Sequence, residues 1–149
     1  MPPLIPPGAP HGDALMTLDE LHQFGEALGR AAAAAQPCVV TLSGDLGAGK
    51  TTLTRAIGHG FGVREAVTSP TFALVHEYAA VNGRLFHLDL YRIRGAHELA
   101  NLGWEQMLAE RAMLIIEWPD RAGPLLPEEA LAIELSHVDG DESRRRVTW

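Results

Sequence analysis

The stretch Gly44-Asp45-Leu46-Gly47-Ala48-Gly49-Lys50-Thr51 has the spacing G-x-x-x-x-G-K-[ST], a glycine-rich turn that ends in an ammonium and a hydroxyl. Each part has a chemical use. Gly47 and Gly49 let backbone N–H groups converge on phosphate oxygens, and a helix opening behind them adds the positive end of its dipole. Lys50 would reach the β- and γ-phosphates of a nucleotide, and the Thr51 hydroxyl would ligate magnesium. The basic residues reinforce this reading, since eleven of the twelve are arginine and Lys50 is the single lysine. Arginine serves most surface roles of lysine, so the exception marks a site that needs a compact ammonium on a flexible stem.

A phosphate site of this kind needs a second acid on a neighbouring strand to hold the metal, directly or through water. Two residues qualify. Glu117 closes the apolar run MLII, which puts a carboxylate at the carboxyl end of a buried strand, where α/β sheets bind ligands. Asp89 shares a strand face with His87 and Tyr91, and is read either as a second site acid or as a cross-strand partner of His76. Thr71, in Ser69-Pro70-Thr71, is either a sensor of the γ-phosphate or an ordinary turn hydroxyl. His76 and His87 come without an HExxH or a cysteine pair and read as structural histidines rather than metal ligands. Trp118, beside Glu117, packs against the site, a partner or the core.

The flanking elements must carry these groups. MPPLIPPGAP holds five of the ten prolines, so residues 1–16 are expected to be a flexible tail, and residues 17–149 a single domain. Thr17 and Glu20 form a capping box for a helix running to about Ala35. Cys38 to Ser43 predicts a strand buried on both faces, and Thr51 to about Gly58 a helix broken by Gly58, Gly60 and Gly62. FALVHEYA and RLFHLDLY flank Asn82-Gly83, which predicts a hairpin with His76 opposite Asp89 and Tyr78 opposite His87. Two short helices split by Gly103, a strand from Met113 to Glu117, a proline-marked loop and a last antiparallel pair complete the chain. The expected fold is α/β: a P-loop NTPase-like three-layer sandwich whose mixed central sheet includes an antiparallel hairpin.

Composition sets the outer bounds. At 149 residues and 46% apolar content the chain is one globular domain, not a disordered or collagen-like one. A single cysteine, Cys38, excludes an intramolecular disulfide, and no apolar run is long enough to cross a bilayer, so a cytoplasmic protein is expected. The net charge of −7 repels nucleic acid and anionic lipid alike. Arg144, Arg145 and Arg146 follow the acidic stretch Asp139 to Glu142 and read as a solvated strand face or as a docking patch for an acidic partner.

GDLGAGKTT, SPTF, HLDLYR and IIEWP, in this order, resemble the bacterial TsaE (YjeE) family of small P-loop ATPases, over residues from about Thr17 to Val147. The resemblance implies support of tRNA threonylcarbamoyladenosine formation together with TsaB and TsaD proteins, with tRNA engaged only indirectly and no membrane involved. It implies that Leu46, Gly47, Ala48, Gly49, Lys50, Thr51 and Thr52 bind ATP, that Thr51 and Glu117 ligate Mg2+, and that Asp89 is needed for hydrolysis. Trp118 would lie by the nucleotide, and adenine contacts would come from around Thr17, Leu18 and Gly140. Two readings remain: an ATPase coupled to a partner complex, and a non-hydrolysing ATP-sensing adaptor, since no arginine finger or glutamine is evident near the loop. A small-molecule kinase would need an arginine-rich lid, for which the chain has little room.

Overall fold

A computed structural model of the chain describes residues 11–34, 38–45, 47–65, 67, 74–81, 83–110 and 112–149. Seven strands form one mixed sheet in the order β1-β7-β6-β2-β5-β4-β3. These are β1 (Asp13–Thr17), β2 (Cys38–Gly44), β3 (Val75–Ala80), β4 (Gly83–Asp89), β5 (Ala112–Glu117), β6 (Leu131–Val138) and β7 (Asp141–Thr148). The four central strands β6, β2, β5 and β4 run parallel, and the hairpin partners β3 and β7 run against them. Helices α1 (Leu18–Ala34) and α2 (Lys50–Phe61) cover one face, where Leu28, Ile57 and Phe61 pack on Val40, Leu42, Leu85, Met113 and Ile115. Across the sheet, α3 (Ala96–Asn101), α4 (Trp104–Ala109) and a 3-10 segment over Pro119–Leu125 enclose Val39, Phe86, Leu88, Leu114 and Ile116. This is the expected α/β sandwich with a mixed central sheet.

Local chemistry explains most of the element boundaries. Thr17 and Glu20 form the predicted capping box: the Thr17 N–H donates to Glu20 Oε1 at 3.1 Å, and the Glu20 N–H donates to Thr17 Oγ1 at 3.2 Å. All six residues of β5 are buried, as a strand with helices on both faces requires.

Three expectations are corrected. The tail reading of residues 1–16 fails from Asp13 onward, because Asp13–Thr17 pairs with β7 across a sequence separation that no local pattern reveals; residues 1–10 lie outside the described residues. Gly58 and Gly60 do not stop α2, which continues to Phe61 and ends only at the third glycine, Gly62, its cap at φ 103°. Gly29 and Gly60 instead let the two helices touch: a Cβ on Gly60 would sit 2.1 Å from the Glu26 carbonyl oxygen, and one on Gly29 2.2 Å from that of Ile57. In the hairpin, Ala80 pairs with Gly83, so the two-residue loop is displaced by one position and His76 faces His87 while Tyr78 faces Leu85. A tertiary contact sets that displacement, since Val63 bridges Ala80 and the Val81 N–H donates to the Gly62 carbonyl at 3.3 Å. Each partner changes by two residues, so every side chain keeps its face.

Candidate functional site

The loop between β2 and α2 opens a cavity of about 600 Å³ at the carboxyl ends of β2, β4 and β5. Gly44, Asp45, Gly47, Gly49, Lys50, Thr51, Thr52, Asp89, Tyr91, Glu117 and Trp118 line it. Residues from three separate segments of the chain therefore meet where a parallel sheet places ligands. Gly47 and Gly49 stand at φ 77° and 105°, in the left-handed region that side chains resist. A Cβ on Gly47 would meet nothing nearer than His137 at 3.9 Å, so the space over the loop is open. Ala48 is buried beneath it and its N–H donates to the Asp45 carbonyl at 3.0 Å.

Lys50 is the first residue of α2, and its Nζ lies 3.9 Å from Glu117 Oε1 and 5.8 Å from the centre of the Trp118 ring. The ammonium is thus parked between a carboxylate and an aromatic face. An anion of several charges entering the pocket would compete for it on favourable terms. Glu117 ends β5 opposite Asp89, the last residue of β4. Its Oε2 accepts a hydrogen bond from His87 Nε2 at 2.9 Å, and His87 is only 1% exposed. Asp89 Oδ1 accepts from the Tyr91 N–H at 3.1 Å, a turn that brings Tyr91 to the rim of the pocket. There the Tyr91 and Trp118 rings meet at 5.0 Å. Trp118 is the one non-glycine residue with positive φ among the described residues, at 58°. Holding so bulky a side chain there costs about 1–2 kcal/mol, and it directs the indole to the mouth of the cavity, where it is 44% exposed.

The donor set suits a small hard cation. Thr51 and Glu117 offer oxygen ligands, and magnesium takes one or two such groups from a protein while retaining water and substrate oxygens. Among the described residues no group of three or more His, Cys, Asp or Glu side chains forms a self-sufficient metal cage.

Of the residues singled out from sequence, Gly47, Gly49, Lys50, Thr51, Thr52, Asp89, Glu117 and Trp118 line this one pocket. Leu46 and Thr71 lie outside the described residues. Asp89 does not face His76, which instead hydrogen-bonds the Tyr78 hydroxyl at 3.2 Å. Sequence reasoning missed three contributors. Tyr91 joins Trp118 at the rim, His87 binds Glu117, and Arg145 reaches from β7 to donate to the Gly47 carbonyl at 3.4 Å. For His87 the available signal was its two-residue spacing from Asp89, which puts both on one strand face. Arg145 depended on the final hairpin folding beside the loop. Its neighbours Arg144 and Arg146 are tied to Asp141 and Asp13 on the surface.

The described residues contain no helix long and apolar enough to cross a membrane. Comparison with known proteins gives relatives named for threonylcarbamoyladenosine biosynthesis. Over 101 residues the chain is 39% identical to the tRNA threonylcarbamoyladenosine biosynthesis protein TsaE of Haemophilus influenzae, a match covering 68% of this chain and 64% of that protein. The protein of the same name from Bacillus subtilis is 38% identical over 111 residues, 74% of this chain and 68% of its own. That from Streptomyces coelicolor is 41% identical over 115 residues, covering 74% and 77%. Among solved structures, the crystal structure of Bacillus subtilis YdiB superposes with a TM-score of 0.70 at 29% identity, over 93% of this chain and 84% of YdiB. The family described as threonylcarbamoyl adenosine biosynthesis protein TsaE matches residues 15–147, and with a match of that extent the chain belongs to the TsaE family.

Proposed function

We propose that the chain is a magnesium-dependent ATPase that supports formation of threonylcarbamoyladenosine in tRNA, acting on TsaB- and TsaD-like partner proteins and engaging tRNA only through them. The observation that carries the reading is the convergence of Lys50, Thr51, Asp89 and Glu117 in one pocket over a loop with two left-handed glycines. The names of its relatives supply the tRNA pathway, and the net charge of −7 agrees with an indirect role at the nucleic acid.

In this reading the backbone N–H groups of Gly47 and of Gly49 to Thr52 receive the phosphates, and Leu46 and Thr71, outside the described residues, are assigned to the same nucleotide by the family resemblance. Lys50 leaves Glu117 and Trp118 to neutralise charge on the transferring phosphoryl group. Thr51 and Glu117 would hold Mg2+, which when bound would supply positive charge to offset that developing on the phosphates. Asp89 orients the attacking water and takes its proton, a role that the adjacent strand ends allow. Trp118 and Tyr91 border the nucleotide, while Thr17, Leu18 and Gly140 are the segments assigned to adenine.

Phosphate release measured with and without partner proteins tests this. Turnover that needs magnesium and rises when the partners are added supports the ATPase. Tight ATP binding with no release in either condition supports the non-hydrolysing adaptor instead, and absence of nucleotide binding refutes both.

A further inference from the structure

His87 is buried on β4, the strand paired with the one that carries the pocket's carboxylate. Its Nε2–H donates to Glu117 Oε2 at 2.9 Å, while the other oxygen of the same carboxylate lies on the side of Lys50, 3.9 Å from Nζ. The imidazole Nδ1 is equally buried and has no hydrogen-bond partner among the described residues. An apolar side chain of the same size would fill this place without the unpaired Nδ1, so packing alone is a poor reason for a histidine here. What the histidine adds is directional: a rigid ring on a central strand gives its one donor to one oxygen of Glu117 and leaves the other turned to the cavity. The main chain supports this arrangement, since the Leu90 N–H donates to the Glu117 carbonyl at 3.1 Å and β4 pairs with β5 through Asp89 and Glu117.

We propose that His87 is a positioning residue for Glu117, fixing one carboxylate oxygen so that the other is presented to a divalent cation bound with nucleotide. The inference rests on the nucleotide and magnesium reading of the pocket given above. It differs from that reading in assigning cation affinity to a residue outside the cavity wall. Groups that orient a metal's carboxylate or imidazole ligand commonly change its affinity tenfold to a hundredfold when removed.

The test is a magnesium titration of binding of a fluorescent N-methylanthraniloyl ATP, on the full chain and on His87→Gln, His87→Asn and His87→Leu. Glutamine places an amide N–H near the position of Nε2, whereas asparagine places it near Nδ1, out of reach of Glu117. Positioning predicts that His87→Gln needs nearly the wild-type magnesium concentration for half-saturation. His87→Asn and His87→Leu should need about tenfold more, with affinity for the nucleotide in EDTA unchanged within about twofold. Should His87→Leu fail to fold, the asparagine and glutamine pair, equal in polarity and unequal in reach, decides the matter. Equal magnesium requirements for those two overturn the inference, as does a wild-type requirement in all variants. Wild-type protein that binds the fluorescent nucleotide at no magnesium concentration overturns the nucleotide reading itself and this inference with it.

Discussion

Lys50 has two neighbours in the pocket, a carboxylate at 3.9 Å and an indole face at 5.8 Å, and neither holds it as closely as a hydrogen-bonded ion pair would. Replacing it should therefore remove chemistry and leave the fold. Lys50→Ala is expected to lower phosphate release by at least about a hundredfold, with a melting temperature by circular dichroism within a few degrees of wild type. His87 still donates to Glu117 in that variant, so the carboxylate does not lose its last partner. Trp118 offers a second measurement. Of the three tryptophans, Trp104 is buried with its indole N–H donating to the Leu125 carbonyl, and Trp149 packs on Phe24, so Trp118 alone lines the cavity. Addition of ATP and magnesium should change the intrinsic emission of the wild type and leave that of Trp118→Phe unaltered. A persistent change in the variant would remove Trp118 from the nucleotide's surroundings.

The helices show where sequence patterns inform and where they mislead. The capping box of α1 and the two-face burial of β2 and β5 were legible because the responsible residues are neighbours in the chain. So were Lys50 and Glu117, one set by a loop motif and the other by the end of an apolar strand. The extent of α2 was not. Gly58 and Gly60 read as breakers by propensity, yet both sit inside the helix, where α1 leaves no room for a side chain on Gly60 and the Val67 side chain crowds the place of one on Gly58. The hairpin register, β1 and the His87–Glu117 bond were hidden for the same reason, each depending on elements distant in sequence. Gly60→Ala separates the two effects. Helix propensity favours alanine by up to about 1 kcal/mol, but a Cβ 2.1 Å from the Glu26 carbonyl oxygen cannot be relieved by a rotamer change. Overpacking of this kind costs about 1–3 kcal/mol, so a lower urea midpoint is expected for Gly60→Ala and Gly29→Ala alike. A raised midpoint would show that the helices can move apart cheaply.

Across the whole molecule, charge as well as pairing secures the β1 margin of the sheet. β1 is tied to β7 by backbone pairing and by the ion pair of Asp13 with Arg146, which holds the Asp13 carboxyl below its ordinary value. In the β6–β7 turn, hydrogen bonds from Ser143 and Arg144 lower Asp141 to about 2. Both groups are depressed in the folded state, so their contribution is present above the ordinary carboxylate range and is lost as pH falls toward the folded values. Amide resonances of β1 should therefore shift on acidification below about pH 4, before the core melts, and Asp13→Asn should flatten the response. The core itself can be followed through Cys38, whose thiol burial raises to about 11. A thiol reagent should label it only as the domain unfolds, and fast labelling of native protein would contradict its burial. One further consequence belongs to the pairing of Asp89 with Glu117 on adjacent parallel strands. Neighbouring strands keep a spacing of about 4.8 Å, so the two acids form a fixed gauge that no hinge can stretch. Any allosteric throttle on turnover must then work through what is brought to that gauge, the loop, the ammonium or the water, and not by resetting the gauge itself.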